Sequence, residues 1–139
     1  MMCMRIHSIG FRIEIKGRVM SYDLRIAVKV QDTDIYAVIA EPEYSSPTYN
    51  IGEMLRKATG WDFEQGKWYK VSDVLPLIEH GIHELRYKED KYRQYDSPNG
   101  WGTTQSARKA LESLATCIEN QTNGWEWQQI PLEHLYVAW

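Results

Sequence analysis

Leu24-Arg25-Ile26-Ala27-Val28-Lys29-Val30 places a large apolar residue at every second position, the period of a strand with one face buried and one face wet. Gln31-Asp32-Thr33-Asp34 follows with turn chemistry. Ile35-Tyr36-Ala37-Val38-Ile39-Ala40 then runs on almost wholly apolar, as suits a strand covered on both faces. Two such runs joined by a short polar segment predict an antiparallel hairpin, because sequential strands with short connections are usually neighbours. Upstream, Phe11-Arg12-Ile13-Glu14-Ile15-Lys16 repeats the alternation and extends the hairpin to a three-stranded meander. Lys16-Gly17-Arg18 ahead of Met20 is also what a translated purine-rich ribosome-binding site would encode. That makes Met20 an alternative start and residues 1–19 an upstream extension; the strict alternation favours a genuine strand.

Beyond Ala40 the period changes from two to that of a helix. Glu41 to Asn50 is rich in Pro, Ser and Tyr, with Pro42 and Pro47 keeping it extended. A short helix is expected over Ile51–Ala58, with Met54 and Leu55 inward and Gly60 ending it. Trp61 to Tyr69 is irregular and aromatic. Ser72 reads as an N-cap, and Val74, Leu75, Ile78, Ile82 and Leu85 form a core-facing stripe reaching Tyr87. Pro76 falls early in that helix. Gly81 lies in its middle at a cost of about 1 kcal/mol against Ala, which marks close packing on a neighbour. Thr103 or Thr104 caps a third helix running to Asn120, with Ala107, Ala110, Leu111, Leu114, Ala115 and Ile118 on one face. Strands are expected over Trp125–Ile130, after the Asn123-Gly124 turn, and over Leu135–Trp139, after Pro131. The fold class is α+β: an antiparallel sheet, made of the N-terminal meander plus C-terminal strand, packed against two main helices and one short helix. With no repeat or linker, residues 1–139 read as one domain.

Composition narrows the function classes. The net charge of −3 and the interspersed signs leave no basic stripe for duplex nucleic acid. No apolar run approaches a membrane span. Two cysteines without a pattern, Cys3 and Cys117, fit a reducing cytoplasmic compartment. No cofactor motif is present: Gly100-Trp101-Gly102 has too few glycines to cradle a phosphate. His80 and His83, beside Glu79 and Glu84, invite a metal reading, yet the spacing is not that of a zinc helix and no third ligand is signposted. A solvated polar face explains them better, so no metal is expected.

Six Trp and nine Tyr against two Phe is the compositional oddity. Residues with an apolar body and a polar tip suit interfaces and pockets, and their surplus over what a small core needs predicts a homo-oligomer. Two loops, Tyr44–Asn50 and Ser97–Thr103, each lead into a helix start with N–H donors. Tyr49, Asn50, Asn99, Trp101 and Thr103 are therefore the candidate ligand-binding set, for a small anionic or nucleotide-like molecule. The competing reading makes Asn50, Asn99 and Thr103 caps and turn residues and Trp101 a core plug.

Asn50-Ile51-Gly52-Glu53-Met54, a helix, and Asn99-Gly100-Trp101-Gly102-Thr103 opening the final helix resemble a group of small uncharacterised bacterial and phage proteins with the same Asn-Gly-Trp-Gly turn. The resemblance spans Tyr49 to Asn120 and implies no activity. It implies an accessory gene of phage or mobile-element type. The resulting expectation is a non-enzymatic binding protein, an inhibitor of host defence that sequesters a nucleotide-like small molecule or blocks a protein. The alternatives are a small hydrolase or nucleotide-processing enzyme, with His80, His83 and Glu84 as its candidates, and a purely structural protein.

Overall fold

A computed structural model describes residues 4–5, 22–44, 49–98, 100, 102–124 and 129–139, with backbone alone at 4, 5 and 49. Strands β2 (Arg25–Lys29) and β3 (Tyr36–Pro42) form the expected antiparallel hairpin, with Lys29 opposite Tyr36 and a bulge between Ile26 and Ala27. In its turn, Asp32 takes a left-handed φ of 60°, which a short polar side chain tolerates. The Thr33 hydroxyl donates to the Val30 carbonyl at 2.8 Å. β1 (Met4–Arg5) pairs with the far end of β3, Met4 opposite Pro42. β5 (Leu135–Ala138) runs antiparallel along the other edge of β2, and β4 (Tyr69–Lys70) lies outside β5. The order is β1-β3-β2-β5-β4.

The strand covered on both faces is β2, where Ile26 and Ala27 are both fully buried; Tyr36 to Ile39 of β3 are only half-buried. The apolar run 35–40 reflects a sheet face that the helices do not cover. The expected strand at Phe11–Lys16 lies outside the described residues, as does Trp125–Gln128 of the expected strand before Pro131. Gln129 and Ile130 are not in a strand. The Ile130 amide donates to the Gln121 carbonyl at 2.9 Å, which folds this segment back on the last helix instead.

Three helices pack on one another and cover one sheet face, that of Ile26, Leu135 and Val137. α1 (Gly52–Thr59) follows a 3₁₀ turn at Tyr49–Ile51 and ends at Gly60, whose φ of 73° is the left-handed cap expected there. α2 (Val71–Tyr87) begins directly from β4, so Ser72 sits inside its first turn and Lys70 holds the cap position without a side-chain bond. Pro76 is thereby the sixth residue, and the amide it lacks is the one that would reach the Ser72 carbonyl. The charged stretch after it folds into a one-turn α3 (Glu89–Tyr92) and a 3₁₀ turn (Arg93–Tyr95), anchored by the buried Tyr92. α4 (Thr104–Thr122) buries Ala107, Ala110, Leu111, Leu114, Cys117 and Ile118.

Two contacts lock these layers. A Cβ on Gly81 would fall 2.5 Å from Thr59 Cγ2 and 2.9 Å from Leu111 Cδ1, so α1, α2 and α4 meet where a side chain is missing. On the sheet side Trp139 stacks on Phe63 at 4.5 Å, and Tyr22 meets both rings edge-on at 5.6 Å.

Leu111→Ala and Leu114→Ala should each lower the unfolding free energy by about 2–5 kcal/mol in denaturant titration. Gly81→Ala should also destabilise. Overpacking costs about 1–3 kcal/mol and outweighs the roughly 1 kcal/mol that Ala gains in helix propensity. Adding Thr59→Ser, which removes the opposing methyl, should restore part of the loss.

Candidate functional site

The two loops singled out in the sequence meet. Gly102 is buried against the 3₁₀ turn, where an added Cβ would lie 2.9 Å from Ile51 Cγ2 and 3.1 Å from Asn50 Cβ. Tyr49 opens that turn, and Asn50 is exposed on it. Asn99 and Trp101 lie outside the described residues. Thr103 is the N-cap of α4, its hydroxyl accepting from the Ser106 amide at 3.2 Å. The Thr104 amide donates to the Asp96 carboxylate at 3.0 Å, and the Thr104 hydroxyl donates to Glu89 at 2.6 Å. Two carboxylates of the chain itself thus stand at this helix start, where the helix dipole and free amides would otherwise attract an anion. The Thr104 hydrogen bond, with Arg93 and Arg108 nearby, holds the Glu89 carboxyl below its ordinary range.

The histidines and their neighbouring glutamate diverge. His80 and His83 are exposed, and the His83 ring leans on Tyr87 at 4.9 Å. Glu84 turns inward, 4% exposed. It accepts from the Tyr92 hydroxyl at 2.8 Å, and the ammonium groups of Lys88 and Lys91 lie 3.0 and 3.6 Å away. The Tyr92 and Lys88 hydrogen bonds hold the Glu84 carboxyl down at about 2, and burial beside Glu84 pushes the Tyr92 hydroxyl up to about 12. Neither group is poised to exchange a proton near neutrality. Together they tie α3 to α2. Among the described residues no group of three His, Cys, Asp or Glu side chains could hold a metal ion, and no helix is long and apolar enough to cross a membrane.

Chemistry of a different kind gathers on the sheet face turned away from the helices. β2 sends Arg25, Ala27 and Lys29 to that face. The register sets Tyr36 opposite Lys29, Tyr136 opposite Ala27, and Lys70 opposite Tyr136. The small side chain of Ala27 leaves room for rings to lie over the strands. Trp68 stacks on Tyr36 at 5.0 Å and 11°, and Tyr136 meets Tyr36 edge-on at 5.1 Å. The Arg25 guanidinium lies 5.1 Å from the centre of the Trp68 ring, and the Lys29 ammonium 5.9 Å from that of Tyr36. All three rings are half-buried, whereas Lys29 and Lys70 are exposed. At the end of this row a cleft of about 550 Å³ opens between Val28, Lys29 and Gln31 on one side and Ile130, Glu133, His134 and Tyr136 on the other. That is within the roughly 300–1,000 Å³ usual for ligand clefts.

None of these residues belongs to the set chosen from the sequence. The signal available was the lysine-flanked pair Lys67-Trp68-Tyr69-Lys70 and the basic side of the Arg25-Ala27-Lys29 alternation. What joins them is pairing between distant strands. Among the described aromatics Tyr22, Trp61, Tyr92 and Trp139 are core, and only Tyr87, at 69%, is strongly exposed.

The low carboxyl range of Glu84 stabilises the fold above the ordinary value of 4.5, and that contribution disappears as pH falls from about 4.5 to about 2. Glu84→Gln should therefore be less stable than the wild type at neutral pH. The gap should narrow steadily on acidification through that window, as followed by urea unfolding at each pH. No family model, curated protein or solved structure matches the chain.

Proposed function

We propose that this is a non-enzymatic binding protein that holds a nucleotide-like ligand on the helix-free face of its sheet. The observation that carries the reading is the row Trp68, Tyr36 and Tyr136 framed by Arg25 and Lys29, with a ligand-sized cleft at its end. A planar, negatively charged molecule matches aromatic rings set among cations. The titratable groups moved furthest from their ordinary values, Glu84 and Tyr92, are paired with each other, which favours binding over catalysis. The Asn-Gly-Trp-Gly resemblance adds the setting: a phage or mobile-element protein that sequesters a nucleotide signal of host defence.

Blocking of a protein is the second reading, favoured by Val30 and Ile35 at the hairpin tip, which are 43% and 62% exposed. Thermal melting against a panel of nucleotides separates the two. A ligand at a hundred times its Kd should stabilise the protein by about 2.7 kcal/mol. The shift should vanish in Trp68→Ala and survive in Ile35→Asp. If no nucleotide shifts the melt, and Ile35→Asp abolishes the biological effect while Trp68→Ala leaves it intact, the protein-blocking reading replaces this one.

A further inference from the structure

Resting on that reading, we infer that the ligand of this face is a short single-stranded nucleic acid rather than a free nucleotide. The argument is one of spacing. Arg25 and Lys29 are four residues apart on β2 and point to the same face, about 13 Å along the strand. Lys70 stands on β4, two strands away across β5, about 10 Å in the hydrogen-bonding direction. Lys67, three residues earlier, is not one of these cations: its ammonium lies 5.3 Å from the centre of the Tyr69 ring, and Tyr69 is opposite Val137, on the helix-covered side of the sheet. Cations this far apart exceed the reach of one phosphate group and match a charged backbone that crosses the sheet.

Between them the rings supply what bases stack on without regard to sequence. An open antiparallel sheet face with aromatics interleaved among basic residues is the kind of surface on which unpaired, extended nucleotides lie. Three carboxylates share the neighbourhood, one of them Glu133, which lines the cleft with Lys29 and His134. Asp34 is 3.8 Å from Lys29 at the hairpin corner, and Glu41 is buried one position beyond the Ile26–Ala40 pair. Neither of these last two stands between Lys29 and Lys70, across the rings. The chain as a whole carries a net charge of −3, so the basic character is local to this face, and duplex-sized contact is not implied.

The test is fluorescence anisotropy of a labelled ten-nucleotide oligothymidine from low to moderate salt, with thymidine monophosphate as competitor. The affinity should fall with salt on a log–log slope of about −2, the value for three phosphates contacted on a single strand. Trp68→Ala should weaken binding about tenfold or more at fixed salt while leaving that slope in place. The double variant Lys29→Gln/Lys70→Gln, altered only at exposed positions, should make the slope shallower by about 1.4 without moving the melting temperature. This second variant decides the matter even if Trp68→Ala is poorly folded. Thymidine monophosphate binding as tightly as the ten-mer through Trp68 would overturn the polymer inference and leave the nucleotide-binding reading standing. Failure of the ten-mer to bind at the lowest salt would overturn the inference whatever the monophosphate does.

Discussion

The stack of Trp139 on Phe63, closed by Tyr22 and Trp61, is the contact on which the sheet's register depends. Side chains alternate along β5: Leu135, Val137 and Trp139 point into the core, and Tyr136 points away. Seating the indole therefore decides which way Tyr136 faces, since a slip of one residue would exchange the two sets. The Trp139 carbonyl also accepts from the Gly66 amide at 2.9 Å, and that bond sets the short loop from which Trp68 reaches Tyr36. One buried aromatic thus determines both the hydrophobic side of the sheet and the ring row on the other side.

The charged groups divide in the same way between those that build the fold and those left exposed on the sheet. Glu84 draws a phenol and two ammonium groups to one carboxylate and holds the one-turn α3 against α2. Glu89 and Asp96 serve the start of α4. Lys29 and Lys70 remain exposed on the helix-free face. A chain that is acidic overall can still carry a local group of cations on one sheet face when carboxylates such as Glu84, Glu89 and Asp96 are tied into the helices.

Much of the fold was legible because periodicity reports which side of an element is buried. The alternation in β2, the apolar face of α4, the left-handed Gly60 and the close approach at Gly81 each appear where local pattern or local backbone chemistry requires them. Sheet order was not legible, since a period of two says nothing about which strand lies alongside. The insertion of β5 between β2 and β4 is settled by packing of residues that are remote in sequence. For the same reason the loop pair Asn50 and Gly102 could be anticipated from two helix starts on one layer, whereas Arg25, Tyr36, Trp68 and Tyr136 could not be assembled from any local motif. Ser72 failed as a cap because a strand residue, Lys70, leads directly into the helix.

β2 has neighbours on both edges, and its pairing with β5 joins positions as distant as Arg25 and Ala138. Its hairpin with β3 closes over a few residues and can form in microseconds, but the other edge must wait for a loop of more than a hundred residues to close. Until then the central strand of the sheet presents a free row of backbone donors and acceptors, a template on which another chain can pair. Delayed closure of that edge makes the synthesis interval, rather than the finished fold, the period in which this protein is most prone to aggregate.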